Sequence, residues 1–155
     1  MQRTEANEAR FWSKVNKTET CWLWMAGCRT SGYGQISDQG KSYGAHRVAW
    51  EWLRGSIPDG GLLDHICHVR TCVNPSHLRI VDKKGNGENR AGATKRSKTG
   101  VRGVCPQGNS FRAQIGHNGK RLYVGSYPTV EAAEKAVIAK RNELFTYNDL
   151  DRKSA

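Results

Sequence analysis

No stretch of the 155-residue chain is apolar for long enough to cross a bilayer. Residues 1–5 also lack the apolar core that a secretory signal peptide needs. We therefore expect a protein of the reducing cytosol, with no membrane partner. The chain has five cysteines, and both the odd count and the compartment argue against a disulfide framework. Metal ligation is then the better interpretation for some of these cysteines.

Acidic residues are absent between Arg90 and Arg121, a stretch that holds eight basic residues. Residues 1–89 carry 12 Lys and Arg against 9 Asp and Glu, whereas residues 90–155 carry 13 against 5. A formal net charge of +11 weakens a compact state through self-repulsion, so folding does not explain this charge. Binding to the phosphates of a polyanion does explain it.

The length suits one ordinary domain or two small ones, and the sequence shows no internal repeat. Small domains bury little surface, so a metal staple is expected if there are two. Residues 91–99 are small, polar and basic, and we interpret them as a linker between a domain over 1–90 and a module over 100–148. In the first domain the patterns predict helices over 5–15 and 45–53, short strands within 31–43, strands over 62–66 and 78–81, and a helix-like run to Asn89.

The C-terminal module has a clearer pattern. Asn118-Gly119 favours a type I′ hairpin turn, and Thr129 is a good N-cap for the helix that follows. Ala133, Val137 and Leu144 recur at helical spacing, which predicts one small apolar face lying on a sheet. The predicted elements are strands over 101–104, 110–116 and 120–125 and a helix over 130–145.

Cysteine and histidine are concentrated between residues 64 and 78. Cys67, Cys72 and His77 follow one another at intervals of five, and three such ligands suit a tetrahedral structural zinc that needs one more. Cys21 is our choice for the fourth ligand, with Cys28 as the alternative. The competing interpretation is that these cysteines are small buried hydrophobic residues.

Phosphodiester hydrolysis needs a base for a water and a hard cation for the developing charge. His65 suits the base near neutral pH, and the oxygens of Asp64 and of Asn86 or Asn89 suit magnesium. The competing interpretation is that Asp64 only caps a turn and that His65 is a core residue with its hydrogen bonds satisfied.

The string from Asp64 to Asn86 resembles the HNH, or ββα-metal, nuclease family, and most closely its His-Cys box branch. The resemblance implies that His65 is the general base, that Cys67, Cys72 and His77 hold structural zinc, and that Asn86 binds the catalytic cation. Asp64 before the histidine is typical of the wider family, where that position also binds the metal. The similarity also takes in residues 21–22, 32–34 and 45–47, which look like phage HNH proteins, and so covers roughly residues 10–90.

Arg47, in the last of these segments, is a candidate for the scissile phosphate, because a guanidinium matches phosphate geometry. An ordinary surface arginine is the alternative. The family resemblance further implies hydrolysis with Mg²⁺, or with Mn²⁺ as the alternative cation, that leaves 5′-phosphate and 3′-hydroxyl ends.

Residues 99–145 resemble the AP2 DNA-binding domain, in which a three-stranded sheet packs on one helix and reads the major groove. Arg112 and Gln114 share a strand face, and neighbouring strands could add other side chains. Arginine can read guanine and glutamine adenine, while lysines suit phosphates. The alternative is that this basic sheet face is only exposed to solvent and does not bind DNA. The proposed DNA-binding residues are Arg102, Arg112, Gln114, Lys120, Arg121, Tyr123, Lys95, Arg96 and Lys98.

Together these patterns predict an α+β protein: a zinc-stapled ββα-metal nuclease core followed by a small three-stranded antiparallel sheet on one helix. We expect a homing-type DNA endonuclease, monomeric or homodimeric, acting on double-stranded DNA in the cytoplasm of a phage-infected bacterial host. The sequence leaves open whether it nicks or cuts both strands, and an RNA or branched DNA substrate is a further alternative. The rival from another class is a zinc-stabilised DNA-binding protein without catalysis.

Overall fold

A computed structural model describes residues 1–153. The chain divides into two compact units, Met1–Asp82 and a second that begins at Lys83. Both mix helices with small antiparallel sheets, so the predicted α+β class is confirmed. None of the helices described is both long and apolar enough to cross a membrane.

In the first unit, three two-stranded antiparallel hairpins accompany two helices. Helix α1 begins after Thr4, whose hydroxyl accepts a hydrogen bond from the Asn7 amide at 3.3 Å. A single 3-10 turn, Pro75–His77, precedes the last strand. The elements are α1 (Glu5–Trp12), β1 (Val15–Lys17), β2 (Trp22–Trp24), β3 (Gln35–Asp38), β4 (Lys41–Gly44), α2 (Ala45–Arg54), β5 (Leu62–His65) and β6 (Leu78–Val81).

Aromatic side chains build the core of this unit. Phe11 is fully buried, and its ring centroid lies 5.1 Å from that of Trp24 and 5.2 Å from that of Trp52. Val48 and Ala49 of α2 are buried against them. These contacts join α1, β2 and α2 in one hydrophobic core.

Two backbone hydrogen bonds clip β2 to the loop between β5 and β6. The Trp24 amide donates to the Thr71 carbonyl at 2.9 Å, and the Val73 amide donates to the Trp22 carbonyl at 2.7 Å. This clip brings the chain around Cys21 to the cysteine-rich loop, although more than 40 residues separate them in sequence.

The second unit contains an antiparallel sheet in the order β7-β8-β9. Asn118 and Gly119 both have positive φ, 50° and 73°, as a type I′ turn between β8 and β9 requires. The prediction of a first strand over 101–104 is wrong, because β7 begins only at Val104. The elements are α3 (Lys83–Glu88), β7 (Val104–Gln107), β8 (Ser110–His117), β9 (Lys120–Tyr127), α4 (Val130–Leu144) and α5 (Asp149–Lys153).

Helix α4 covers one face of this sheet. The Thr129 hydroxyl accepts from the Ala132 amide at 3.2 Å, which confirms the predicted N-cap. Ala133 and Val137 are fully buried and Leu144 packs beside them, as their spacing predicts. Alternate residues of β8, Ala113 and Ile115, complete the core from the sheet.

Candidate functional site

Four side chains of the first unit come together in one cluster: Cys21, Cys67, Cys72 and His77, named here the Cys/His cluster. Their ligand atoms all lie within 4.8 Å of one another. Cys21 stands immediately before β2, the other cysteines lie in the loop after β5, and His77 ends the 3-10 turn. The Asn74 side chain caps that turn by accepting from the Ser76 amide at 3.0 Å.

The spacing within the cluster fits tetrahedral zinc. The distances from His77 Nδ1 to the sulfurs of Cys21 and Cys72 are 3.5 and 3.6 Å. Tetrahedral zinc with ordinary bond lengths places a sulfur and a nitrogen about 3.5 Å apart. The structure thus favours Cys21 over the alternative Cys28, which is exposed and has its sulfur 3.7 Å from the Ala26 carbonyl.

Two thiols of the cluster, those of Cys67 and Cys72, are costly to ionise without a cation. Burial, with a contribution from the nearby sulfurs of Cys67 and Cys21, raises the pKa of Cys72 to about 12. Burial likewise raises the pKa of Cys67. A bound divalent cation would reverse this cost, since thiolates are its ligands. The donor set and its spacing therefore fit a structural zinc.

His65 is buried at the end of β5, 5% exposed, beside the loop that carries the cluster. Its Nε2 lies 3.0 Å from the backbone carbonyl oxygen of Cys72. Because a carbonyl only accepts, Nε2 carries the hydrogen, and Nδ1 carries the lone pair of the neutral ring. Burial lowers the pKa of His65, which keeps the imidazole neutral and able to take a proton.

Asp64 precedes His65 on β5 and is paired with Arg79, which the sequence did not single out. Arg79 stands directly opposite on β6 and donates to Asp64 Oδ2 from Nη2 at 2.8 Å and from Nε at 3.0 Å. This pairing orients the carboxylate and offsets its charge at a position where only 7% of the residue is exposed. The register of the hairpin creates the pair, and the sequence offers no local signal of it.

Two aromatic rings pack against His65 and were likewise not predicted to do so. The ring centroids of His46 and Tyr33 lie 5.1 and 5.7 Å from that of His65. Burial lowers the pKa of His46 to about 3, and the positive charges of Arg47 and Arg29 and the neighbouring His65 contribute. Packing of these two rings restricts the orientation of the His65 imidazole.

Arg47 lies in the first turn of α2, next to His46, and is half-buried. The structure places it in the same unit as His65, and its role at a phosphate stays a prediction.

The two candidate amide ligands lie in the second unit and differ in surroundings. Asn86 is exposed on α3. Asn89 is 5% exposed, and its side-chain oxygen accepts from the Asp149 amide at 3.3 Å. This structural use of Asn89 favours Asn86 as the residue available to a cation, and its ligand role stays a prediction from the sequence.

The proposed DNA-reading side chains share the outer face of the β7-β8-β9 sheet, with one exception. Arg112, Gln114, Arg121 and Tyr123 form what we name the exposed sheet face, opposite the core. Gln114 pairs directly with Tyr123, which is 65% exposed. Lys120 is exposed beside this face, and the linker residues Lys95, Arg96 and Lys98 are exposed and outside any helix or strand.

Arg102 is the exception, because it lies outside the strands and turns towards α3. Its guanidinium donates to the carbonyls of Gly87, Glu88 and Arg90, each at 2.9 Å. Burial and the nearby Arg141 and Arg90 lower its pKa to about 10. The prediction that Arg102 joins Arg112 and Gln114 on a neighbouring strand is therefore wrong.

Part of the chain is similar to known proteins. Residues 43–88 match the family model described as HNH endonuclease. "Protein 7.7" of Escherichia phage T7 is 36% identical over 70 residues, which are 45% of this chain and 54% of that protein. The "Uncharacterized gene 5.3 protein" of Enterobacteria phage T3 is 46% identical over 44 residues, 28% of this chain and 44% of that protein.

The chain thus spans about half the length of the curated relatives it matches. No solved structure matches it. The matched segment runs from β4 to α3 and contains Asp64, His65 and three members of the Cys/His cluster. Residues 43–88 are therefore similar to the HNH endonuclease family, in agreement with the motif, and this supports a nuclease.

Proposed function

We propose that the protein is a metal-dependent HNH endonuclease that hydrolyses phosphodiester bonds of double-stranded DNA. The observation that carries the proposal is the placement of His65. A neutral, buried imidazole is oriented by the carbonyl of a cysteine of the Cys/His cluster and follows a carboxylate in sequence. A purely structural zinc scaffold needs the cluster but has no need of this base beside Asp64.

In the proposed reaction, Nδ1 of His65 takes the proton of a water molecule, and the water oxygen attacks the phosphorus. The bond to the 3′ oxygen breaks, and the products carry 5′-phosphate and 3′-hydroxyl ends. A magnesium-class cation would stabilise the charge on the leaving oxygen, with Asp64 as one ligand and Asn86 as the further ligand that the motif predicts. Arg47 is proposed to contact the scissile phosphate.

The Cys/His cluster is proposed to hold structural zinc rather than the catalytic ion. Thiolates and imidazole suit zinc, whereas the oxygens of Asp64 and Asn86 suit magnesium or manganese. The cluster positions the loop whose Cys72 carbonyl orients His65. The zinc would therefore affect catalysis only by keeping the imidazole of His65 in place.

The second part of the proposal is that an AP2-like module binds duplex DNA through the exposed sheet face. Four polar or aromatic side chains share that face, and the basic linker lies before it in sequence. The proposed functional boundaries are residues 1–90 for the nuclease, 91–99 for the linker and 100–148 for the module. They differ from the boundary between the compact units at Asp82 because α3 makes its described hydrogen bonds within the second unit.

The similarity to phage proteins supports a role in a phage-infected bacterial cell, and we propose a homing-type enzyme acting in the host cytoplasm. A monomer would nick one strand, whereas a homodimer with twofold symmetry could cut both.

The decisive experiment incubates supercoiled plasmid and phage DNA with the purified protein and magnesium. We expect nicked or linear product that disappears in EDTA and in the His65→Ala variant. The zinc content and thermal unfolding of the variant serve as its folding control. Tight binding by the wild-type protein without cleavage would support the rival DNA-binding scaffold and remove the roles proposed for Asp64, His65 and Asn86.

A further inference from the structure

A cleft of about 590 Å³ lies within the second unit, between α3 and the hairpin of β8 and β9. Lys83 and Lys84 line it from the helix, and Lys120 and Arg121 line it from the start of β9. All four side chains are exposed. We name this feature the basic cleft, defined by these four residues.

The lining of the basic cleft has a net positive charge, because one buried acidic residue, Glu88, stands among four exposed cations. Glu88 is 5% exposed, and its Oε2 accepts from the backbone amides of Thr146 at 2.9 Å and Tyr147 at 3.4 Å. Its Oε1 lies 3.7 Å from Lys84 Nζ and 4.0 Å from His117 Nδ1. Glu88 thus sits at the base of the cleft and holds the Lys84 ammonium, while the accessible charge is cationic.

The backbone of the β8–β9 hairpin leaves room for a ligand to approach it closely. Gly116 and Gly119 line the cleft without side chains, and open space surrounds the position that a Cβ would take at each. A phosphate can therefore come near the strand backbone between the two lysines of α3 and the two basic residues of β9. A compact polyanion with charges spaced along a strand matches this lining better than an apolar ligand does.

The basic cleft is continuous with the exposed sheet face. Arg121 belongs to both, since it points outward from β9 opposite Gly116 and also lines the cleft. A duplex lying on the exposed sheet face would carry its backbone past Arg121 towards Lys83 and Lys84.

We propose that the basic cleft binds the phosphodiester backbone of duplex DNA, with Lys83 and Lys84 as contacts additional to the exposed sheet face. The proposal rests on the proposed function of the second unit as a DNA-binding module. It assigns these lysines a positioning role that carries no sequence information, because phosphate contacts orient a protein on the duplex while base contacts specify the site.

The test measures equilibrium binding of the full chain to one duplex, without added magnesium, across a series of salt concentrations. Each phosphate contact adds about 0.9 to the slope of the logarithm of affinity against the logarithm of salt concentration. The Lys83→Ala/Lys84→Ala double variant should lose about 2 from this slope and weaken binding equally on unrelated sequences. The variant Lys83→Ala/Lys84→Arg should recover about half of the lost slope, because it returns one positive charge to the cleft.

Lys135→Ala is the matched control for loss of a lysine. Lys135 is exposed on α4, which covers the other face of the sheet, and it does not line the cleft. Its variant should keep the wild-type slope, and thermal unfolding should show that all variants are folded.

The proposal is overturned if the double variant keeps the slope of a wild-type protein that binds DNA, or if its loss depends on base sequence. Failure of the underlying function looks different, because the wild-type protein and the Lys135 variant would then both fail to bind duplex DNA. That result would overturn the cleft and the module together, while plasmid cleavage reports separately on the nuclease.

Discussion

Nε2 of His65 donates a hydrogen bond to the backbone carbonyl of Cys72 across 3.0 Å. The residue proposed as the base is thereby oriented by a residue proposed as a zinc ligand. The same cysteine offers its sulfur to the Cys/His cluster, 3.6 Å from His77 Nδ1. Any displacement of the loop on loss of metal would therefore also release the imidazole, so structural and catalytic effects should be coupled.

The zinc assignment predicts different outcomes for two cysteines of the first unit. Cys21→Ser should lose the metal and more than about 3 kcal/mol of folding free energy, because metal binding contributes to the stability of a small domain. Cys28→Ser should keep both, since Cys28 is exposed and outside the cluster. Elemental analysis and urea unfolding measure the two quantities, and zinc retained in the Cys21 variant would disprove the ligand set.

The lowered pKa of His65 predicts where nuclease activity declines at acid pH. Burial lowers the pKa of His65 below its ordinary 6.5, so the imidazole stays neutral until the pH falls through that lowered value. The plot of kcat/KM against pH should therefore lose activity only below about 6.5. An acid limb above neutral pH would show that another group is the base. Plasmid or oligonucleotide cleavage at constant ionic strength provides the measurement, with zinc content checked at each pH.

His46 predicts a pH dependence of stability. Its pKa falls from 6.5 in the unfolded chain to about 3 in the folded one, chiefly through burial. Below pH 6.5 the unfolded chain then binds a proton that the folded chain does not. The contribution of His46 to stability is lost as the pH falls, by about 1.4 kcal/mol per pH unit.

The comparison is with His46→Phe, which retains a ring against Tyr33 and cannot titrate. Urea midpoints between pH 7 and 5 should fall less steeply in the variant than in the wild-type protein. Parallel curves would mean that His46 does not carry the effect. Because both proteins keep the Cys/His cluster, acid release of the metal cancels in the difference.

Arg102 predicts a stability effect in the second unit. Its guanidinium donates to three backbone carbonyls at the end of α3, of which only the bond to the Glu88 carbonyl is part-buried, so Arg102→Ala should cost about 1–3 kcal/mol. Arg102→Lys should recover little, since one ammonium cannot span three carbonyls. Arg112→Ala is the control, because that arginine is exposed on the sheet. Equal denaturation midpoints for the Arg102 and Arg112 variants would contradict this account.

The exposed sheet face predicts sequence discrimination. Arg112→Ala and Gln114→Ala should each relax preference at one position of a preferred duplex by about 1–3 kcal/mol. Selection of bound sequences from a random pool, followed by affinity measurements on single-base variants, gives these values. A uniform loss across all sequences would place the two side chains on phosphates instead.

Local rules of chain conformation explain which parts of the fold could be predicted. The Asn118-Gly119 turn and the Thr129 cap depend on a few adjacent residues, so the sequence predicts them correctly. The first strand of the sheet was misplaced by three residues. Gly103 has a φ of 86° and accepts from the Gln114 amide at 2.8 Å, an arrangement that ends the turn before Val104 and that no local pattern reveals.

The sequence by itself determined the chemistry available: a compact set of soft ligands, an aspartate before a histidine, and a basic C-terminal half. Spacing and composition encode these properties within short segments. Tertiary structure supports the choice of Cys21 over Cys28, and it alone decided that Arg79 pairs with Asp64 and that Arg102 holds α3 instead of facing outward. Each of these depends on strand register or on a contact between distant segments, which is settled only when the whole chain packs and satisfies its buried polar groups.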